Sequence, residues 1–243
     1  TNNDTGAQLT LVKTLTLDNG GDAEVTDWTL NASGGPTPIT GMSGMPAVTN
    51  ATVSAGTYLL SETDGPAGYT PGAWSCPDGV LNGNSLELAN GDDVTCTINN
   101  DDQPATLTLV KTLVQNDGGD DDADDWSLIA NGDTLYAGNT TVYWAGGVQV
   151  DADTYTLSEN GPDGYTAGDW ICTGVAAQGD QLTLGLGQSA VCTIINNDIA
   201  PTLTLVKDVT NDNGGQAIPE SFTLTLLGDD GTHNPALEYN TGN

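Results

Sequence analysis

Apolar and polar residues alternate through three stretches of this chain: "LTLVKTL" from Leu9, "LTLVKTL" from Leu107 and "LTLVKDV" from Leu203. Side chains on a strand point to its two faces in turn, so Leu9, Leu11, Lys13 and Leu15 share one face while Thr10, Val12 and Thr14 share the other. The same register sets Lys111 beside Leu107, Leu109 and Leu113, and Lys207 beside Leu203, Leu205 and Val209. In "YLLSE" the face of Tyr58 and Leu60 also holds Glu62; in "YTLSE" the face of Tyr155 and Leu157 holds Glu159. Two later strands alternate likewise, placing Asn100 with Val94, Cys96 and Ile98, and Asn196 with Ala190, Cys192 and Ile194. Trp28, Trp126 and Phe222 fall on the faces of Leu30, Leu128 and Leu224, which predicts core packing. An unpaired buried ammonium is too costly to keep, so each inward lysine must find a partner or lose its proton. A glutamate and an asparagine are the inward polar groups that each full repeat offers it.

These matches recur in order, and their first strands start 98 and 96 residues apart, which predicts tandem modules. The division is a tail of a preceding repeat at 1–6, a first β-sandwich repeat at 7–102, a second at 103–200 and an incomplete third at 201–243. Both ends fall within a repeat, as expected of a window on a longer array. Richness in Thr, Gly, Asn and Asp favours short strands joined by turns, so the modules are predicted all-β. "QPA" and "IAP" are short joints stiffened by Pro104 and Pro201, which predicts an elongated, semi-rigid array.

Charge narrows the partners. The chain carries 33 acidic residues against three lysines and no arginine, a net charge of −30, and the lysines all lie in the alternating strands. Phosphate contacts need surface cations, so nucleic acid and anionic membranes are excluded as partners, and no apolar run of membrane-spanning length is present. Cys76, Cys96, Cys172 and Cys192 divide two to each full repeat, and pairing within modules uses every thiol. Buried free thiols are the alternative; zinc is disfavoured by the absence of CxxC and by a single histidine, His233. Disulfides imply an oxidising, extracellular setting. Sequons at Asn3, Asn31, Asn50 and Asn139 are candidate glycosylation sites.

The loop after each first strand is acidic and Gly-rich. Its Asp120, Asp121, Asp122, Asp124 and Asp125 are candidate ligands for a weakly held Ca²⁺, although no EF-hand pattern is present and a solvated turn explains the same composition. No other cofactor is expected. The middle of the module diverges between repeats and is where ligand binding would reside. Trp74 and Trp170, just ahead of the first cysteine of each pair, are expected against the disulfides, whereas Trp144 has no counterpart in the first repeat.

The order "LTLVK", then "GTYLLSETDGPAGY", then a closing strand with an amide resembles the CnaB-like or SpaA-like (prealbumin-type) repeat domains of bacterial pilins and surface adhesins. The resemblance implies Ig-like, prealbumin-like β-sandwich modules. It also implies an autocatalytic isopeptide bond joining Lys13 to Asn100 with Glu62 as helper, and Lys111 to Asn196 with Glu159 as helper. Lys207 would have its partner outside this sequence. A buried Lys–Glu ion pair hydrogen-bonded to the Asn satisfies the same groups without a covalent bond. The function expected is structural: part of a secreted stalk, adhesin shaft or extracellular filament, partnered by neighbouring repeats and open to homopolymeric assembly. A ligand-binding or Ca²⁺-dependent adhesion module is the alternative. A turnover enzyme is not expected, since no nucleophile motif occurs.

Overall fold

The structure is a computed structural model that describes residues 5–131, 133–137 and 147–226. Trp144, His233, Asn3 and Asn139 lie outside the described residues. The chain packs as two compact units, 1–199 and 200–243.

The first unit holds two modules of like design. In the first module the strands are β1 (Ala7–Thr16), β2 (Trp28–Ser33), β3 (Ile39–Gly41), β4 (Ala51–Val53), β5 (Gly56–Asp64), β6 (Tyr69–Pro71), β7 (Val80–Asn82), β8 (Ser85–Leu88) and β9 (Asp93–Asp102). They form one sheet in the order β4-β1-β9-β6 and a second in the order β3-β2-β5-β8-β7. The second module contains β10 (Ala105–Val114), β11 (Ser127–Ala130), β12 (Asp133–Ala137), β13 (Val148–Val150), β14 (Thr154–Asn160), β15 (Tyr165–Ala167), β16 (Ile171–Thr173), β17 (Gln181–Thr183) and β18 (Ser189–Asp198). Here the sheets run β13-β10-β18-β15, with β16 also on β18, and β12-β11-β14-β17. The fold is all-β; the helical elements among the described residues are single turns such as Val25–Asp27 and Ala123–Asp125. No helix among them is long and apolar enough to cross a membrane.

Most ladders are antiparallel, but the first and last strands of each module pair in parallel: β1 on β9, with Leu9 opposite Val94 and Lys13 opposite Ile98, and β10 on β18 in the same way. Parallel neighbours need a long crossover, and here the rest of the module serves as that crossover. Burial follows the period of two. On β1 Ala7, Leu9, Leu11 and Lys13 are buried, and on β9 Val94, Cys96, Ile98, Asn100 and Asp102 are buried. Threonines fill the outer face, where a β-branched side chain suits the pleat.

Each module encloses its own core, one centred on Leu9, Leu30, Leu60 and Leu86, the other on Leu107, Leu128, Leu157 and Leu182. Trp74 packs into the first core with Cys76 and Cys96, and Trp170 against the second beside Cys172. Disulfides join Cys76 to Cys96 and Cys172 to Cys192. The second lies directly across the β16–β18 ladder. The modules meet through backbone groups: the Ala152 N–H donates to the Asn19 carbonyl at 2.8 Å, and the joint residue Gln103 donates to Gly68 and accepts from Gly187.

The third copy behaves differently. Its "LTLVKDV" segment was expected as a strand, yet none of residues 201–226 pairs in a sheet, and Leu203 and Val206 are exposed. The reason is the pairing itself: β1 and β10 are strands because a closing strand and a middle strand flank them, and residues 201–226 supply neither. Alternation sets which face a residue takes only once partners exist.

Each disulfide closes a loop with a sequence separation of 20. Replacing Cys76 and Cys96 together by alanine should cost about 3 kcal/mol of that module's stability. Urea unfolding followed by tryptophan fluorescence would measure it, with the second module's transition unchanged as the internal reference.

Candidate functional site

β1 and β9 lie side by side, and their register sets Asn100 opposite Leu15, two residues beyond Lys13. Lys13 and Asn100 are therefore diagonal neighbours on the inner face, within reach for a long side chain. Glu62 comes from the opposing sheet, on β5 across from Leu30 of β2. The three meet in the middle of the sandwich. Lys13 Nζ donates to Glu62 Oε2 at 2.8 Å, and Asn100 Nδ2 donates to Glu62 Oε1 at 2.8 Å. The second module repeats the arrangement: Lys111 Nζ donates to Glu159 Oε2 at 2.6 Å and Asn196 Nδ2 to Glu159 Oε1 at 2.7 Å.

Burial is deep. The side chains of Lys13 and Lys111 are 0% and 1% exposed, and each glutamate only 12%. Burial lowers the pKa of both lysines below the ordinary 10.5, against the opposing pull of the hydrogen bond and charge of Glu62 or Glu159. One oxygen in each trio is left over. Asn100 Oδ1 and Asn196 Oδ1 are buried with no hydrogen-bond donor among the described residues. Each amide thus offers its nitrogen to the glutamate and leaves its carbonyl free to accept charge. The adjacent Asn99 points the other way, exchanging hydrogen bonds with Thr14 and Thr16 on the outer face.

Aromatic rings close the site. Lys13 Nζ stands 4.8 Å from the centroid of the Trp28 ring, and Lys111 Nζ 4.8 Å from that of Trp126. Each indole is met edge-on by a tyrosine, Tyr69 at 5.3 Å and Tyr165 at 5.0 Å between centroids. In the second unit Lys207 Nζ stands 4.8 Å over Phe222 and donates to the Asp208 carbonyl.

Two further residues belong to the framework and were missed from sequence. Asp102 and Asp198, at the ends of β9 and β18, are buried carboxylates. Asp102 accepts N–H bonds from Asp18, Asn19 and Gly21, and Asp198 from Asn116, Asp117 and Gly119. They pin the acidic loop that follows each first strand. The signal was present: alternation carried two residues past Asn100 and Asn196 lands on these aspartates.

The candidate calcium ligands stand apart from this. Among the described residues the carboxylates that gather in a group of three are Asp18, Asp101 and Asp102, not those of Asp120–Asp125. Within that run Asp125 caps its own turn by accepting from the Asp122 N–H, and the Asp121 carbonyl accepts from Gln115. Of the described sequons, Asn50 is exposed in a left-handed turn, while Asn31 is tied into β2 by Thr29 and Thr40.

Fold and site together define a class: tandem two-sheet β modules, each locking its first and last strands through a buried Lys–Glu–Asn trio. The prealbumin-like fold domain matches over residues 4–98, 102–194 and 198–242, and the chain belongs to that family. No curated protein matches it. Among solved structures it is similar to the major pilin protein (T-13) from Streptococcus pyogenes, at 15% identity over 80% of this chain and 98% of that one, with a TM-score of 0.36. It is also similar to the C-terminal fragment of the pilus adhesin SpaC from Lactobacillus rhamnosus GG, at 14% identity over 83% and 100%, TM-score 0.40. A third similar structure is the Bacillus anthracis TIE protein, at 14% identity over 81% and 34%, TM-score 0.43.

The pinned aspartates make the fold acid-sensitive. Burial alone would raise Asp102, but the N–H bonds from Gly21, Asp18 and Asn19 outweigh it and hold its pKa below the ordinary 3.8. A carboxylate lowered in the folded state contributes stability that is complete above its unfolded pKa and is lost as pH falls through its folded one. Thermal midpoints should therefore drop as pH falls below about 4. Asp102→Asn should lower the midpoint at neutral pH and flatten that dependence, as read by scanning calorimetry across pH.

Proposed function

We propose that this chain is a structural repeat segment of a secreted bacterial surface stalk, adhesin shaft or extracellular filament. Each complete module is closed by its disulfide and by an isopeptide bond, Lys13 to Asn100 in the first and Lys111 to Asn196 in the second. The observation that carries this reading is the bridging glutamate: one carboxylate holds the amine and the amide on its two oxygens, in a buried site, twice in one chain.

The chemistry follows from the geometry. Glu62 takes a proton from the Lys13 ammonium, and burial, which disfavours the charged amine, aids that step. The neutral amine attacks Cγ of Asn100, and the new C–N bond forms as the carbonyl π electrons move onto Oδ1. Glu62 then hands that proton to Nδ2 and takes the second proton from the attacking Lys13 nitrogen. The carbonyl re-forms as the C–Nδ2 bond breaks. Ammonia leaves and carries this second proton away as ammonium, which returns Glu62 to a carboxylate. The balance is one lysine ammonium and one primary amide to one secondary amide and one ammonium ion. No oxidant or cofactor enters. Each glutamate acts once, so this is a single-turnover reaction of the protein on itself, and its product is a covalent clamp.

The clamp suits a load-bearing role. β1 and β9 run parallel, so tension pulling outward on the start of one and the end of the other shears their ladder instead of peeling it. With the amide in place, force entering at β1 passes through Lys13 to Asn100 and leaves along β9. The partners of this reading are neighbouring repeats, with copies of the chain able to join in a filament outside the cell.

Intact mass of the reduced full chain tests the bonds. It should fall short of the sequence mass by two ammonias, and Glu62→Ala and Glu159→Ala should each restore one. A wild-type mass equal to that of the sequence would overturn the amide and leave the ion pair.

A further inference from the structure

Three lysines share one neighbour. Lys13, Lys111 and Lys207 each stand 4.8 Å over the ring of the aromatic residue that lies fifteen positions later, Trp28, Trp126 and Phe222. The first two also have a glutamate and an asparagine. Lys207 has the ring without sheet pairing anywhere in residues 201–226. The lysine–ring contact therefore requires only the first strand segment and the short loop that returns to the aromatic residue.

We infer that Trp28 and Trp126 are positioning residues that seat the lysine amine before the rest of the module closes over it. The contacts rank by separation along the chain. The ring is fifteen residues from its lysine, Glu62 is 49 from Lys13, and Asn100 comes with the last strand. Short loops close at lower entropic cost than long ones, so the ring meets the lysine first. An indole face attracts an ammonium, and in this pocket it also walls off one side of the amine, leaving Nζ turned to Glu62 Oε2. The reacting atom is held in place when the asparagine arrives, which converts an encounter into an oriented approach.

The surrounding motif is built around the indole. In "GPAGY" and "GPDGY" a Cβ on Gly65 would run into Nε1 of Trp28, and one on Gly161 into Cδ1 of Trp126. Neither position can carry a side chain without moving the ring. Four residues on, Tyr69 and Tyr165 meet the indole edges at interplanar angles of 80° and 90°. Their hydroxyls accept N–H bonds from Ala23 and Asp121, which anchors the tyrosines in turn. The first glycine and the tyrosine of this phrase thus serve the indole, and through it the lysine.

The consequence for reaction rate rests on the amide reading above, whereas the contact itself does not, and two measurements on the full chain separate them. In a Glu62→Ala/Glu159→Ala chain labelled with ¹³C at lysine Cε there are three signals to follow. All three should show ε-protons shifted upfield by a ring, and Trp28→Leu and Phe222→Leu should each return one to the unshifted position. Unshifted lysine signals in the Glu62→Ala/Glu159→Ala chain with all three rings intact would overturn the inference. In chains with both glutamates intact, pulse-labelled expression followed by intact mass gives the rate of ammonia loss. Trp28→Leu should slow the first module by about tenfold or more while the second proceeds normally, and Trp28→Phe, the residue type of the third repeat, should restore the rate to within about threefold. The Cys76–Cys96 bond checks that the variant module has folded; should the leucine variant fail that check, the Lys207 signal in Phe222→Leu still decides whether a ring seats a lysine. A folded Trp28→Leu chain reacting at the wild-type rate would overturn this inference alone. A wild-type chain that keeps both ammonias would overturn the amide and the ring's role in it together.

Discussion

Parallel pairing of the first and last strands is the constraint on which the rest of this structure depends. It places Lys13 and Asn100 diagonally on one inner face, sets Asp102 where it can hold the loop leaving β1, and carries Cys96 inward to its partner. A parallel pair cannot close through a hairpin, so the second sheet grows out of the crossover between the two strands. That sheet then delivers Glu62 to the centre. Remove the pairing and the trio has no common face. The third copy illustrates this: a near-identical stretch, without flanking strands among the described residues, remains unpaired, with Leu203 and Val206 exposed.

The energetic position of the trio is unusual for a small module. Two ionisable groups and an amide occupy volume that leucines would fill at no desolvation cost, and buried ion pairs are often no better for stability than apolar replacements. Each charge is nonetheless answered: the ammonium by a carboxylate and an aromatic face, the carboxylate by two donors. Of the trio, the amide oxygen alone has no donor among the described residues. It is the oxygen on which charge would develop in the amide formation proposed above.

Much of this was legible from a period of two. Alternation put Lys13, Glu62 and Asn100 inward because a half-buried strand has only two faces and the apolar residues mark one of them. It could not say that β1 lies against β9 in parallel, since pairing partners leave no trace in a single strand's pattern. Trp28 read as core, and it is buried, but its place beside a lysine depends on how the loop after β1 returns the chain, which alternation along a strand does not describe. Asp102 went unread because acidic residues at a strand end look like the start of a solvated turn. The expectation of a third strand at Leu203 failed for a related reason: the pattern describes a strand's faces, not whether neighbours are there to bond it.

The joining of first strand to last also bears on which parts of the sequence are free to change. In a module whose first and last strands pair directly with one another, the residues between them lie outside that ladder. Residues 34–50 of the first module and their counterparts in the second share little sequence, although β1 and β10, and the closing strands β9 and β18, are closely alike. Such segments can be lengthened, shortened or rewritten without disturbing that ladder, much as a bracket can carry any fitting once its bolts are set. Variation and strand pairing are thereby assigned to different residues of one small fold.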